Sequence, residues 1–160
     1  MRVSKRSMIV GGSVSAIGAL ATAAAFSQER TFALAVSRDA GCGCCLAWVD
    51  RMTETRRFTA IVINEVNLAA VKQRLGVPSD LASCHTTVVE GLIVEGHAPA
   101  EDVLRLLSVR PRDVIGIAVP GMPVGSPGME VADRRRDAFA VFAFRADGAR
   151  TVFADYPASV

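Results

Sequence analysis

No serine–histidine–aspartate set, no paired-carboxylate site and no phosphate-binding glycine loop stands out in this 160-residue sequence, so it offers no evident apparatus for hydrolysis or phosphoryl transfer. Histidine is scarce, limited to His85 and His97. Charge of one sign is lacking as well. The 18 basic residues nominally exceed the 16 acidic ones, but Arg2, Lys5 and Arg6 lie in an N-terminal segment without acids. Setting that segment apart leaves 15 basic against 16 acidic residues, a net charge of about −1. The remaining charge run, Arg134-Arg135-Arg136, is flanked by Asp133 and Asp137 and reads as a solvated face. Such a chain has no electrostatic footprint for nucleic acid. With 51% hydrophobic residues it can bury one ordinary core, and nothing marks a second domain.

The N-terminus carries a targeting pattern. "MRVSKR" is a basic, acid-free start, followed by the apolar run "SMIVGGSVSAIGALATAAAF" and the small residues of "ATAAA". The run is about long enough to span a bilayer, but it is only weakly hydrophobic, rich in Ala and Gly, and ends in small residues. Residues 1–25 therefore read as an export signal cleaved near Ala25, leaving no stable membrane anchor. No twin-arginine pair is present. Export delivers the chain to an oxidising compartment, where paired cysteines usually become structural disulfides.

Periodicity then predicts an α/β order. "TFALAVS" (31–37) reads as a strand, and Cys44 to Arg57 as a helix whose first turn holds cysteines. "FTAIVINE" (58–65) reads as a strand covered on both faces, and "NLAAVKQRLG" (67–76) as a helix with Asn as N-cap and Gly at its end. Two short strands follow around a tight turn at Glu90-Gly91, then a helix from Pro99 to Arg110. This β-α-β-α-β-β-α order is that of the thioredoxin-like fold. Residues 26–112 are its expected core, and 113–160 an extension within the same domain. In that extension "IGIAVPGMPVGSPGMEV" (115–131), with three prolines and four glycines, is expected to continue as neither helix nor central strand. Being apolar, it should pack as an ordered loop. "AFAVFAF" and "RTVFADY", joined through Ala146-Asp147-Gly148, should close the chain as a hairpin.

Chemistry concentrates in four cysteines, three of them in "GCGCC" at 41–45. Cys42 and Cys45 have C-x-x-C spacing at a strand-to-helix junction, where unpaired helix amides favour the thiolate. Cys44 between them argues against pure thiol–disulfide exchange, because a third thiol invites wrong disulfides. Cys84-His85 immediately precedes the third strand, where thioredoxin-like folds usually carry a cis-proline; none is present here. Met122 and Met129 stand in rigid Pro/Gly turns rather than on a periodic core face. Thiolates and thioethers together form a ligand set for Cu(I), with zinc the competitor. Four thiolates would satisfy zinc and leave the methionines idle, which favours copper. His85 is balanced between ligand and structural group, whereas His97 reads as capping the next helix or bonding a backbone carbonyl. Trp48 reads as ordinary core.

Three stretches, "GCGCCLAW", "CHTTVVEGLIVEGHAPAEDVLRLL" and "GIAVPGMPVGSPGME", closely resemble the CopG-type copper-resistance proteins of Gram-negative bacteria, over roughly residues 31 to 156. The resemblance implies an exported, periplasmic, thioredoxin-like domain whose C-terminal extension contributes to metal binding. It further implies a cluster of copper ions bridged by cysteine sulfurs, interconversion of Cu(I) and Cu(II), and periplasmic copper-efflux components as partners. Cys42, Cys44 and Cys45 match the family's C-x-C-C, Cys84 its later cysteine, and Met122 and Met129 its methionine loop. Leu92 departs from it, standing where an aromatic residue is common, with consequences for packing rather than chemistry.

The resulting expectation is a copper-binding protein using Cys42, Cys44, Cys45, Cys84, Met122, Met129 and His85 to hold more than one ion. Two other readings stay open: a thiol–disulfide oxidoreductase using Cys42 and Cys45, and a non-catalytic domain stapled by two disulfides.

Overall fold

The computed structural model describes residues 30–160, so the expected export signal lies outside the described residues. Among these residues no helix is long and apolar enough to cross a membrane. The described chain is α/β. It runs β1 (Phe32–Arg38), α1 (Gly43–Glu54), β2 (Phe58–Asn64), α2 (Leu68–Arg74), a short 3-10 turn (Ser79–Leu81), β3 (His85–Val89), β4 (Leu92–Glu95), α3 (Ala100–Val109), β5 (Val114–Ala118), β6 (Phe139–Arg145) and β7 (Arg150–Tyr156). The seven strands form one mixed sheet in the order β2-β1-β3-β4-β5-β6-β7. β1 and β2 pair in parallel across the α1 crossover, as do β4 and β5 across α3; the other neighbours are antiparallel.

Local chemistry sets most boundaries where the sequence places them. Asn67 caps α2 by accepting the Ala70 amide at 3.0 Å, and Gly76 leaves the helix at φ +75°. Glu90 (φ 50°) and Gly91 (φ 79°) are both left-handed, as a two-residue turn matched to strand twist requires. α3 begins after Pro99 and carries Glu101 and Asp102 in its first turn. The closing β6–β7 hairpin turns through Gly148 (φ 82°). Asp102, almost fully buried, ties α3 to β7 by accepting the Tyr156 hydroxyl at 2.7 Å.

Two expectations are overturned. β2 is an edge strand whose later residues are exposed, Ile61 at 67%, so it is not covered on both faces. Residues 114–118 do form a strand, and a central one, between β4 and β5's other neighbour β6. Gly116 is no breaker there. A Cβ on it would lie 2.8 Å from the Ile93 side chain and from the Phe144 ring, so glycine is what permits the strand to close in. The irregular segment begins only at Val119, and it packs as expected: Ser126 is fully buried, and the Val124 carbonyl accepts the Asp137 amide at 3.0 Å.

The core falls into two clusters. The larger joins Leu34, Trp48 and Met52 of the N-terminal half to Ile117, Val119 and Val141 of the C-terminal half, and the smaller gathers Val77, Leu81, Ile93, Ala118 and Phe144. At about 25 cal/mol per Å² of apolar surface, burying each such side chain contributes roughly 1.5–3 kcal/mol.

Candidate metal centre

The first cysteine segment is shaped by the end of β1. Arg38 is 6% exposed, and its guanidinium donates to the Cys42 carbonyl at 2.5 Å and to the Ala40 carbonyl at 3.1 Å. The Asp39 carboxylate accepts the Gly41 amide at 2.8 Å, and its carbonyl accepts the Cys42 amide at 3.0 Å. These bonds fold "DAGC" into a turn that ends at the N-terminus of α1. Cys42 occupies the N-cap position but makes no side-chain cap, and the first helical turn holds no acid. The helix-start amides and dipole therefore face sulfur rather than a carboxylate.

The second segment is aimed by the β3–β4 hairpin. Its two-residue turn at Glu90-Gly91 fixes the register, Thr86 opposite Glu95. Continued two residues outward, the same register sets Cys84 opposite His97, and the Gly96 amide donates to the His85 carbonyl at 3.0 Å. His85 itself lies opposite Arg38 on β1, so β3 carries its histidine beside the first cysteine segment.

These two segments bring all four sulfurs together, Cys42, Cys44, Cys45 and Cys84 lying within 4.8 Å of one another. Cys44 Sγ is 3.5 Å from Cys42 Sγ and 4.0 Å from Cys84 Sγ. Cys42 and Cys45 are joined as a disulfide, whereas Cys44 and Cys84 are free thiols. Cys45 is fully buried; the other three are partly exposed. Met122, half exposed, adds its thioether 3.9 Å from Cys44 Sγ. Met129 lies in the same irregular segment but enters the described hydrogen bonds only through its backbone, donating to the Ser126 carbonyl and accepting from Gly125.

Both histidines reach the group. Cys84, His85 and His97 form a second trio whose ligand-type atoms lie within 4.8 Å. Cys84 Sγ is 3.4 Å from His85 Nδ1 and 2.9 Å from His97 Nε2. Of the two roles the sequence suggests for His97, the backbone bond is present, its Nδ1 lying 2.7 Å from the Pro127 carbonyl, and the helix cap is not, since α3 has no side-chain cap. The additional approach to Cys84 was missed, although the turn at Glu90-Gly91 encodes it. His85 is fully buried beneath Trp48, ring centroids 4.5 Å apart, and its Nε2 has no hydrogen-bond partner among the described residues. Trp48 is also fully buried, with its indole donating to the Ala98 carbonyl at 2.9 Å. It is core and site floor at once.

The electrostatics favour neutral groups in the metal-free protein. Burial, aided by the neighbouring Cys44, pushes the Cys84 thiol up to about 12. Burial, with His97 and Lys72 nearby, lowers His85 to about 3, and burial lowers His97 as well. Neutral imidazoles are ready donors, and metal binding at Cys84 would release a proton.

Fold and site together define an α/β protein with a cysteine-centred group able to bind metal. No curated protein sequence matches the chain. A family profile described as "Protein of unknown function, DUF411" matches residues 81–129, the stretch from Leu81 through Met129. Two solved structures are similar over the described fold. "Copper resistance protein CopG, Form 1" shares 48% identity, with 80% of this chain and 99% of that one covered, at a TM-score of 0.73. Form 2 shares 48% identity over 80% of this chain and 100% of that one, at 0.74. The chain belongs to the CopG copper-resistance protein family.

Proposed function

We propose that this is a periplasmic copper-binding protein of thioredoxin-like ancestry, with its dithiol site rebuilt as a multi-copper centre that interconverts Cu(I) and Cu(II). The observation that carries this reading is the convergence of four cysteine sulfurs within 4.8 Å, with the Met122 thioether beside Cys44. Sulfurs this close favour shared, bridging coordination of more than one ion, and the soft set suits Cu(I) over harder cations. His85 and His97 add borderline nitrogen donors at Cys84, a mixed environment that also suits Cu(II). The Cys42/Cys45 pair serves as ligands when reduced and as an electron reserve. Closing two thiolates to the disulfide releases two electrons, which balances reduction of two Cu(II) to two Cu(I). Copper-efflux components are the expected recipients, and residues 1–25 supply the export signal.

The test is anaerobic Cu(I) titration of the processed, reduced protein with a copper:protein ratio and thiol count. More than one copper per chain is expected, and a ratio near zero overturns the reading. Cys44→Ser should lower that ratio, and Met122→Leu should weaken retention.

The Cys42–Cys45 disulfide at a helix start supports a second reading, thiol–disulfide exchange. It requires disulfide reductase activity that survives both Cys44→Ser and Met122→Leu. A domain stapled by two disulfides gains no such support, since Cys44 and Cys84 are unbridged.

A further inference from the structure

We propose that Glu95 is a positioning residue of the copper site: it fixes the Cys84 sulfur and, through Ser83, the turn that carries Met122, without touching metal itself. The proposal rests on the copper reading above. Glu95 is fully buried at the end of β4. Its two carboxylate oxygens straddle the Cys84-His85 pair. One accepts the Ser83 backbone N–H at 2.6 Å, just before the pair, and the other accepts the Thr86 hydroxyl at 2.7 Å, just after it.

The arrangement continues in both directions. Lys72 of α2, mostly buried, donates to the carboxylate at 2.5 Å and to the Thr86 hydroxyl at 2.9 Å. On the other side the Ser83 hydroxyl donates to the Gly121 carbonyl, and Ser83 and Gly121 form a short parallel bridge. Gly121 directly precedes Met122. A chain of contacts thus runs from Lys72 and Glu95 through Ser83 to both the Cys84 thiol and the Met122 thioether.

An ion pair meant only to fasten α2 to the sheet would need no Ser83 amide. A buried carboxylate is costly, and apolar residues of similar volume often replace such pairs without loss of stability. What an apolar replacement does not supply is an acceptor for the Ser83 N–H. That amide lies before β3, outside its ladder, at the junction where no cis-proline fixes the chain and where the described residues hold no cis peptide. Glu95 does by hydrogen bonding what a shape residue would do there.

Two double variants separate position from charge. Lys72→Met with Glu95→Gln and Lys72→Met with Glu95→Leu both remove the ion pair, but only glutamine keeps an acceptor for Ser83. In competition with a Cu(I) chelator the leucine variant should lose about ten- to a hundred-fold in affinity, the usual effect of removing an outer support of a metal ligand. The glutamine variant should recover most of that loss. Amide hydrogen exchange of the metal-free proteins should show Ser83 protected in the parent and the glutamine variant, and fast in the leucine variant. Parent-like Cu(I) affinity in the leucine variant, or an equal loss in the glutamine variant, overturns the proposal. Absence of Cu(I) binding in the parent overturns the copper reading instead, and the exchange data then still report on the Ser83 contact. Should the leucine variant fail to fold, Ser83→Ala, which keeps the backbone N–H on Glu95 but removes the hydroxyl on Gly121, tests the link to Met122 through a cycle with Met122→Leu. The effect of Ser83→Ala on Cu(I) retention should vanish in the Met122→Leu background; additive effects overturn the link.

Discussion

His85 is an imidazole sealed under an indole, its Nε2 unpartnered among the described residues and its pKa lowered from 6.5 to about 3. Burial is the main cause, with the neighbouring His97 and Lys72 opposing charge further. Below pH 6.5 the unfolded chain therefore takes up a proton that the folded chain refuses. Stability of the metal-free protein is full above that pH and falls as pH drops toward 3, at up to about 1.4 kcal/mol per pH unit from this residue. Chemical denaturation at pH 6.5 and pH 5 should show a loss of about 1.6 kcal/mol attributable to His85, and the lowered His97 acts in the same direction. His85→Gln should flatten the slope; an unchanged slope would remove His85 as its source. At this scale the sequence was readable where neighbours in the chain decide the outcome. Cys42 with Cys45 at a helix start is such a case; Cys84 opposite His97 is encoded in the register of the two-residue turn but was not read from it. The Lys72–Glu95 pair, 23 residues apart, has no local signature, because lysine on a helix and glutamate at the end of a strand are ordinary surface residues until the sheet closes over them.

Among the elements, the segment from Val119 to Ala138 shows most clearly how irregular backbone is held in place. Gly128, at φ +82°, lies directly on the middle of α1, where a Cβ would sit 2.5 Å from the Trp48 amide nitrogen and 2.9 Å from its Cα. Both the left-handed backbone and the backbone-to-backbone approach require glycine. Gly128→Ala should therefore destabilise the protein by about 2–4 kcal/mol, combining backbone strain with overpacking, as read by urea denaturation. Since the same approach brings the segment onto the helix that carries Cys44 and Cys45, copper retention should fall with it. Destabilisation below about 0.5 kcal/mol, the range of an ordinary surface change, would contradict this packing. The two misread strands, β5 and β2, misled for different reasons. In "IGIAVPG" glycine suggested a breaker, whereas Gly116 is a close-approach residue inside β5. β2 misled by composition: Ile61, Val62 and Ile63 have the apolarity of a covered strand, but strand order, which decides coverage, is set by pairings far along the chain.

For the whole molecule, the site is a junction of three separate parts: the start of α1, the start of β3 and the turn before Gly125. Sulfur ligands shared among them would act as a cross-link, and the coupling to stability follows from mass action. A ligand that binds only the folded state adds RT ln(1 + [L]/Kd), about 2.7 kcal/mol when free copper is a hundred times the dissociation constant. For a domain of this size each kcal/mol corresponds to roughly 2–8 °C, so anaerobic Cu(I) should raise Tm by about 5–20 °C. The gain should be spread unevenly. Trp48, Met52 and Ile117 belong to a core already closed without metal, so amides there should change little. The segment around Met122, half exposed and tied through Ser83, Gly121 and the Cys44 contact, should gain the most protection in hydrogen exchange. Met122→Leu should abolish that local gain while leaving most of the Tm increase, because the four cysteines remain. A uniform gain across the sheet, or a local gain that survives Met122→Leu, would show that copper is held by the cysteine segments alone and that the C-terminal segment merely covers them.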